Sequence, residues 1–310
     1  MKRNFGIDIL KVFSCAGVVS AHFGATPRFS ALAVPIFMFV AAYLSDSVVT
    51  SGDWVLLRSR LIRLYCPFLA WGAIYSILYF FINEGCFNPL VLILQFLIGV
   101  PACPPLYFIF LLALSTCIAF LVLKVRWGVG ILALLCVFCV VLQYTGVNAV
   151  IFNPLELQPR CALGRFAELV PYAIAGLAFA WYMRECRTRA VRLVLLGLGV
   201  VLLMAFKFAK ISMSCQGFGY QGLGLFCVAT GMSILSILIG DGREIKFGSR
   251  VAGIAGCTAG IYYIHLLVGK CIEMPLGRHR GLWEVVFVGF ASLLIVSMMK
   301  RIRALSWLVR

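Results

Sequence analysis

The sequence predicts an all-α fold, a polytopic bundle of about ten transmembrane helices with both termini in the cytoplasm. Hydrophobic residues make up 63% of the 310 residues and charged residues only 12%, whereas soluble domains are roughly 45–50% apolar and about 25% charged. Apolar runs close to the roughly 20 residues that cross a bilayer recur along the whole chain. Basic residues concentrate in alternate connecting segments, and this bias orients the helices.

The apolar runs define ten predicted spans that leave no room for a soluble domain. We therefore expect residues 1–310 to form a single membrane-embedded domain. A shorter apolar run at 88–100 is flanked by proline and predicts an interfacial or re-entrant segment. The cores of the ten spans are 6–24, 30–50, 64–82, 105–123, 127–145, 166–183, 191–209, 220–240, 251–269 and 282–299.

The distribution of charge explains the strongly basic composition. With a cytoplasmic N-terminus, the inner segments carry eighteen lysines and arginines and the outer segments eight, which fits the positive-inside rule. The formal net charge of +16 is then largely a matter of topology and of contact with anionic membrane lipid. Because the basic residues are scattered over six short inner segments, we predict no nucleic-acid partner. The expected location is the cell membrane, as a multi-pass protein of a bacterial cytoplasmic membrane.

The first predicted helix contains ionisable residues within an apolar sequence, "DILKVFSCAGVVSAHFG". Lys11 and His22 are eleven residues apart, close to three turns, so they share one face about 16 Å apart along the axis. Asp8 lies three residues before Lys11 and is a possible local partner. Such groups usually face a cavity, a path or each other. The alternative is that Asp8 and Lys11 cap the cytoplasmic end and His22 lies at the outer interface.

Two other interpretations of sequence features receive little support. The N-terminus has the charge and small-residue pattern of a signal peptide, but Asp8 and Lys11 interrupt it. Cys136 and Cys139 form a CxxC pair within an apolar helix without a second pair nearby, so we predict no metal site. Most of the thirteen cysteines fall in apolar spans as small hydrophobic residues. Pairing is left open for those near the outer face, which are Cys86, Cys103, Cys161, Cys215 and Cys271.

Several segments in the same order together resemble the acyltransferase-3 family of integral membrane acyltransferases. The resemblance extends over roughly residues 5 to 270. Its strongest parts are the first helix with Lys11 and His22, and the late Gly-Ile-Tyr-x-x-His segment that ends at His265. The segments are "GIDILKVFSCAGVVSAH", "AVPIFMFVAAYL", "RSRLIRLYCPFLAW", "LYFIFLLAL", "YAIAGLAFA" and "GCTAGIYYIHLLV".

The resemblance implies an O-acetyltransferase-like enzyme that moves an acyl group, most often acetyl from acetyl-CoA, to a hydroxyl of a surface carbohydrate. Family members usually have an arginine eleven residues before the first-helix histidine, where this chain has Lys11. Lysine keeps the charge but lacks the planar fork of arginine. The common Ser-Gly-Tyr at the end of the second helix is Ala41-Ala42-Tyr43, and Tyr107 stands where tryptophan is frequent.

His22 is the predicted catalytic residue, with Lys11 and Asp8 beside it on the first helix. An imidazole, with an ordinary pKa of roughly 6.5, can accept the proton of a sugar hydroxyl as a general base. It can also carry the acyl group itself. The sequence leaves both routes open. His265, together with Tyr262, is predicted at the acceptor site, and an interhelical hydrogen bond is the alternative role of His265.

The remaining predicted site residues concern the two substrates. Arg58, Arg60 and Arg63 precede the third span, where guanidinium groups can bind the phosphates of acetyl-CoA, although inner-face anchoring alone also explains them. Arg165 and Glu168, one turn apart, contact either an acceptor sugar or each other. The predicted acceptor-site residues are Tyr43, Tyr107, Arg165, Glu168, Tyr262 and His265.

Two functions of another class compete with the enzyme. One is a transporter or flippase of a glycan or lipid-linked sugar, but the chain shows no pair of matching broken helices. The other is a non-catalytic partner of surface-polymer assembly machinery. The expected partners of the enzyme are a surface polysaccharide or lipid-linked sugar as acceptor, and membrane lipid.

Overall fold

The computed structural model describes residues 3–23, 27–82, 106–145, 165–185, 188–208, 223–241, 248–276 and 281–309. All regular structure in these residues is helical, and no strand occurs among them, in agreement with the predicted all-α class. The predicted interfacial segment at 88–100 lies outside the described residues, as do His279 and four of the cysteines predicted near the outer face, Cys86, Cys103, Cys161 and Cys215.

Most described helices coincide with a predicted span to within a few residues. The helix Trp54–Ile82 is an exception, because it begins ten residues before the predicted third span, 64–82, and so contains Arg58, Arg60 and Arg63, which were predicted to precede that span. The second predicted span, 30–50, is divided in two by a turn at Leu44 and Ser45. The helices are α1 (Phe5–Phe23), α2 (Pro27–Tyr43), α3 (Asp46–Ser51), α4 (Trp54–Ile82), α5 (Tyr107–Val122), α6 (Gly128–Thr145), α7 (Phe166–Glu185), α8 (Arg189–Phe208), α9 (Leu223–Gly240), α10 (Gly248–Leu276), α11 (Leu282–Arg301) and a 3-10 helix (Ser306–Val309).

Six helical segments of the described residues are long and apolar enough to cross a membrane. Shorter apolar stretches lie in α5, α6, α8 and α9. A multi-pass helical membrane protein is therefore confirmed, whereas ten spans and cytoplasmic termini stay predictions. The six segments are Phe5–Phe23, Ala31–Ser51, Trp54–Leu78, Phe166–Glu185, Gly248–Glu273 and Leu282–Arg301.

The chain divides into two compact units. One, which we call the α1 unit, consists of Met1–Tyr43 and Ala175–Arg310. The other, the α4 unit, consists of Leu44–Ile174. The boundary falls within α7, so this helix contributes its first half to the α4 unit and its second half to the α1 unit.

Helix α1 is the central element of its unit and packs against α2, α9, α10 and α11. Its neighbour α10 runs parallel to it, because Cys15 and His22 both face residues that lie 243 positions later. The Cys15 thiol approaches the carbonyl oxygen of Thr258 at 3.8 Å, and His22 faces His265. Helix α9 runs antiparallel, since its C-terminal end meets the start of α1.

Glycine permits this close crossing of α1 and α9. A Cβ at Gly6 would overlap the backbone carbonyl of Ser236, and a Cβ at Gly240 would overlap the backbone of Gly6. The side-chain amide of Asn4 donates to the carbonyl oxygen of Ile237 at 2.9 Å beside the crossing. Small residues that allow backbones to approach are a main source of helix association in membranes.

Helix α11 packs antiparallel on α10 and brings the C-terminal 3-10 helix with it. The Sγ of Cys257 and the Oγ of Ser297 are 3.9 Å apart. Gly260 faces both Val296 and the fully buried Val309, at distances that leave no space for a Cβ. The 3-10 helix is therefore seated on the middle of α10.

The α4 unit has its own apolar core. Trp54 of α4 lies 6.1 Å from the ring of Phe120, and Tyr65 packs edge-on against Phe68 at 5.4 Å. A second cluster joins α6 to the first half of α7 through the buried residues Cys139 and Val170. These contacts join α4 to α5, and α6 to the first half of α7.

We predict that Gly6→Val destabilises the protein. The new side chain must displace the backbone of α9, and overpacking of this kind costs about 1–3 kcal/mol or more. The thermal unfolding midpoint of detergent-purified protein should fall by several degrees. The control is Gly253→Ala in α10, where a Cβ meets nothing within 4 Å and alanine is the better helix former. An equal effect of the two substitutions would contradict the assigned crossing.

Candidate functional site

Two of the three histidines of the chain lie next to each other in the α1 unit. The ring centroids of His22 and His265 are 5.1 Å apart, with an angle of 44° between the ring planes. His22 is half-buried in the last turn of α1, and His265 is fully buried in α10. Both were predicted as site residues, but their proximity results from the parallel packing of two helices that are distant in sequence.

The hydrogen bonds of His265 fix its tautomer. Its Nδ1 lies 2.8 Å from the carbonyl oxygen of Tyr262 and 3.2 Å from that of Ile261. A carbonyl oxygen only accepts hydrogen bonds, so Nδ1 must carry the proton and donate it. When the ring is neutral, Nε2 is therefore the unprotonated nitrogen, and its lone pair points away from the helix backbone.

This Nε2 atom is buried and has no hydrogen-bond partner among the described residues. An unsatisfied buried polar atom costs about 1–3 kcal/mol, and such atoms in native structures call for a specific explanation. A nitrogen with an available lone pair can accept the hydrogen of a hydroxyl or take a proton. The arrangement of His265 is therefore suited to binding and deprotonating a hydroxyl beside His22.

Aromatic side chains surround the two histidines. The Tyr262 ring is 6.0 Å from that of His265 and 6.1 Å from Phe37 of α2. Tyr262 is itself buried. One turn beyond His265, Gly269 lies directly against the ring of Phe23, so α1 and α10 stay closely packed there. The histidine pair thus has apolar walls, which favour strong electrostatic interactions with a bound substrate.

The N-terminal half of α1 holds the other predicted catalytic residues. Lys11 lies on the same face as His22, because α1 is continuous between them. The ion pair seen at Asp8 is with Arg3, whose Nε is 2.7 Å from the carboxylate, where the sequence suggested Lys11. Asp8 is buried and Arg3 exposed, so the pair anchors the start of the helix. Helical spacing does not indicate Arg3, because this residue precedes the first residue of α1, Phe5, whereas Lys11 lies three residues after Asp8 in the helix.

The three arginines predicted to bind acetyl-CoA differ in environment within the α4 unit. Arg60 donates to the Ser45 hydroxyl at 2.9 Å and is partly buried, whereas Arg58 and Arg63 are exposed. The Nε of Arg63 donates to the carbonyl oxygen of Ser59 in its own helix at 3.2 Å. Arg60 therefore has a structural role at the turn between α2 and α3, and the other two present their charge to solvent.

The predicted acceptor residues are distributed over both units. Arg165 and Glu168 form an ion pair at 2.6 Å, and both side chains are largely buried. In the α1 unit, Tyr43 packs 5.7 Å from the ring of Phe179, and in the α4 unit Tyr107 is buried. The α1 unit thus holds Asp8, Lys11, His22, Tyr43, Tyr262 and His265, and the α4 unit holds Arg58, Arg60, Arg63, Tyr107, Arg165 and Glu168.

Comparison with known proteins agrees with the resemblance in the sequence. The family model of the acyltransferase-3 family, described as an acyltransferase domain, matches residues 4–301, which is nearly the whole chain. No curated protein and no solved structure was found to match.

The tautomer of His265 leads to a prediction about stability. In His265→Asn the side-chain amide can replace Nδ1–H as donor to the Tyr262 carbonyl, whereas in His265→Gln the amide is placed nearer to Nε2. The glutamine variant should lose about 0.5–1.5 kcal/mol relative to the asparagine variant, the net value of one hydrogen bond. Thermal unfolding in detergent checks this. A glutamine variant as stable as wild type, with asparagine the less stable, would contradict the assigned tautomer.

Proposed function

The chain belongs to the acyltransferase-3 family of integral membrane acyltransferases, and on this premise we propose that it is an O-acetyltransferase of the cell membrane. The donor is acyl-CoA, with acetyl as the group transferred, and the acceptor is a hydroxyl of a surface polysaccharide or lipid-linked sugar. The observation that carries the proposal is the pair of His22 with His265, whose Nε2 is buried and oriented as a base.

In the direct route of transfer, a histidine nitrogen takes the proton from the sugar hydroxyl. The sugar oxygen forms a bond to the thioester carbonyl carbon, the C–S bond breaks, and the thiolate leaves and receives a proton to give the free thiol. His22 is the proposed base. The Nε2 of His265 accepts a hydrogen bond from a neighbouring hydroxyl of the same sugar, which holds the reacting oxygen in line with the carbonyl carbon and is a gain in orientation.

In the two-step route, His22 carries the acyl group between the substrates. A nitrogen of His22 attacks the thioester, the thiolate departs, and an acyl-imidazole forms. The sugar oxygen then attacks this carbonyl carbon while the Nε2 of His265 takes the hydroxyl proton, and the imidazole of His22 is the leaving group. The adjacency of the two rings supports this route as well, since one histidine can hold the acyl group and the other the proton.

The charged residues are assigned to the donor. Arg58, Arg60 and Arg63 are proposed to bind the phosphates of acyl-CoA, and Arg60 also donates to the Ser45 hydroxyl. Lys11 supplies a positive charge on the face that leads to His22, and the Arg3–Asp8 pair fixes the helix start. Tyr43, Tyr107, Arg165, Glu168 and Tyr262 are proposed to bind the acceptor, directly or by positioning its binding surface.

The family match favours the enzyme over the other two functions. The transporter or flippase interpretation draws no support from a family described as an acyltransferase domain. Contact with surface-polymer assembly machinery is compatible with the enzyme and remains a proposed partnership.

We predict that His22→Ala abolishes acyl transfer. Membranes from cells that contain wild type or variant at matched levels are supplied with labelled acetyl-CoA, and label is followed into glycans and lipids. Loss of a general base lowers the rate about 10²–10⁴-fold, so label should disappear with the variant. His279→Ala serves as the control because the sequence predicts that His279 lies in an outer connecting segment, between the predicted spans 251–269 and 282–299, and no role is proposed for it. Equal labelling by wild type and His22→Ala would remove His22 from the mechanism.

The arginines give a second prediction. Arg63→Gln should raise KM for acetyl-CoA several-fold at unchanged thermal stability, because it removes a charge exposed to solvent. Arg60→Gln should lower the unfolding midpoint, because it leaves the buried Ser45 hydroxyl without its donor. Kinetics with acetyl-CoA and with its 3'-dephospho form, together with unfolding in detergent, separate the two effects. A donor KM that is the same in wild type and Arg63→Gln would exclude Arg63 from the phosphate site.

A further inference from the structure

Five buried serines and threonines of the α1 unit fall into two kinds. Those of the first kind donate to a carbonyl oxygen of their own helix, which is the usual solution for serine and threonine in an apolar environment. Ser233 donates to Ala229 at 2.7 Å and Thr258 to Ala255 at 2.9 Å. The others, Ser14, Thr230 and Ser292, have hydroxyl oxygens that are buried and without a partner.

The partnerless hydroxyls are deeply buried. Ser14 and Ser292 are fully buried and Thr230 is 5% exposed. In hydrocarbon a hydroxyl that forgoes the bond to its own helix loses free energy and gains nothing in exchange. Since Ser233, one turn from Thr230 on the same helix, does form its bond, the geometry of α9 does not prevent it. The free hydroxyls therefore indicate a ligand with its own hydrogen-bonding groups.

The first two of these residues lie at one depth in the bundle. At the crossing of α1 and α9, Gly6 faces Ser236 and Gly240. The two helices run antiparallel. Ser14 lies eight residues after Gly6 on α1, and the facing position on α9 therefore lies about eight residues before the crossing, near Thr230. Ser14 and Thr230 are consequently level with each other in neighbouring helices. This level is about 12 Å along the axis of α1 from His22.

The third hydroxyl lies at the depth of the histidine pair. Val296 of α11 faces Gly260 of α10, and these helices are also antiparallel. Ser292, one turn before Val296, is therefore level with the turn of α10 that holds His265. Four unpartnered polar atoms of the described α1 unit thus lie at two depths, an inner level with Ser14 and Thr230 and an outer level with His265 and Ser292. A fifth, the carboxylate Oε2 of Glu284, lies at neither level, because Glu284 is eight residues before Ser292 on α11.

We propose that Ser14 and Thr230 bind the pantetheine arm of the acyl donor, an inference that rests on the proposed acyltransferase function. Pantetheine is a narrow flexible chain with two secondary amides and a terminal thioester, so it can accept hydrogen bonds from both hydroxyls along its length. With an amide at the inner level, the thioester lies further outward, toward His22. Acyl-CoA and an acyl carrier protein present the same arm.

The inner level also has a suitable electrostatic setting. Lys11 lies one turn before Ser14 on α1, whereas the charge of Arg3 at the start of this helix is balanced by Asp8. Positive charge at the inner end attracts the phosphate that precedes the pantetheine arm. Along α1, the charge of Lys11 comes first and the hydroxyls of Ser14 and Thr230 follow. In the donor, a phosphate comes first and the amides of the pantetheine arm follow, so the two orders match.

The test uses Ser14→Ala and Thr230→Val, each assayed for transfer from acetyl-CoA. Loss of one hydrogen bond to a neutral amide should raise KM about three- to tenfold at nearly unchanged kcat, because binding is lost equally in ground and transition states. The unfolding midpoint should stay equal or rise, since an unsatisfied buried hydroxyl is removed. Ser233→Ala, one turn from Thr230 with a hydroxyl already bonded, is the matched control and should leave KM unchanged.

A second donor sharpens the result. S-acetyl-2-mercaptoethanol carries the thioester without any amide, so wild type, Ser14→Ala and Thr230→Val should use it equally poorly. If the hydroxyls bind the pantetheine arm, the Ser14→Ala and Thr230→Val substitutions should raise KM equally for acetyl-CoA and for acetylated acyl carrier protein. A rise in KM for only one of these donors identifies that donor as the source of the arm.

The outcomes separate this inference from the proposed function. No transfer by wild-type membranes from either pantetheine donor would overturn the acyltransferase proposal itself. Transfer by wild type with the same donor KM in the Ser14 and Thr230 variants would overturn the hydroxyl site alone. A fall in unfolding midpoint that parallels the rise in KM would also overturn it, because the hydroxyls would then be structural.

Discussion

The structure of the α1 unit depends on one constraint, that a polar side chain buried among apolar helices must obtain its hydrogen bonds inside the protein. Asp8 obtains its bond from Arg3, Asn4 from the end of α9, and His265 from two carbonyl oxygens of its own helix. Each of these bonds fixes a helix or a ring in place. The Nε2 of His265 has no hydrogen-bond partner among the described residues, so its lone pair is available to accept a hydrogen bond or a proton.

The parallel packing of α1 and α10 converts this constraint into a site. Two parallel helices keep a constant offset, so Cys15 faces Thr258 and, two turns further, His22 faces His265. The tautomer of His265 is set by main-chain carbonyls, which no side-chain substitution elsewhere can easily remove. The His265 ring is thereby oriented by its own helix, and His22 places a second imidazole beside it, as the proposed acyl transfer requires.

Sequence patterns predicted the positions of the long helices well, because a membrane imposes both length and apolar composition on each span. They predicted His22 and His265 individually, through the resemblance to the family. They could not place the two together, since contact over 243 residues depends on how helices pack rather than on local periodicity. Sequence patterns also did not predict the turn at Ser45 that divides the second span. The bond from Arg60 to the Ser45 hydroxyl joins residues fifteen positions apart, and local periodicity does not indicate it.

The unsatisfied polar atoms of the α1 unit must be balanced by close packing elsewhere. Each costs about 1–3 kcal/mol in the absence of a ligand. The compensation lies in glycine contacts away from the histidines: Gly6 against α9, and Gly231, whose missing Cβ lets the carbonyl oxygen of Gly199 approach to within 2.8 Å of that position. Such contacts are the main attractive force between helices in lipid. Stability is therefore concentrated in backbone contacts, while the polar atoms near His22 are those that we propose bind the substrates, which is the usual division between stability and activity in enzymes.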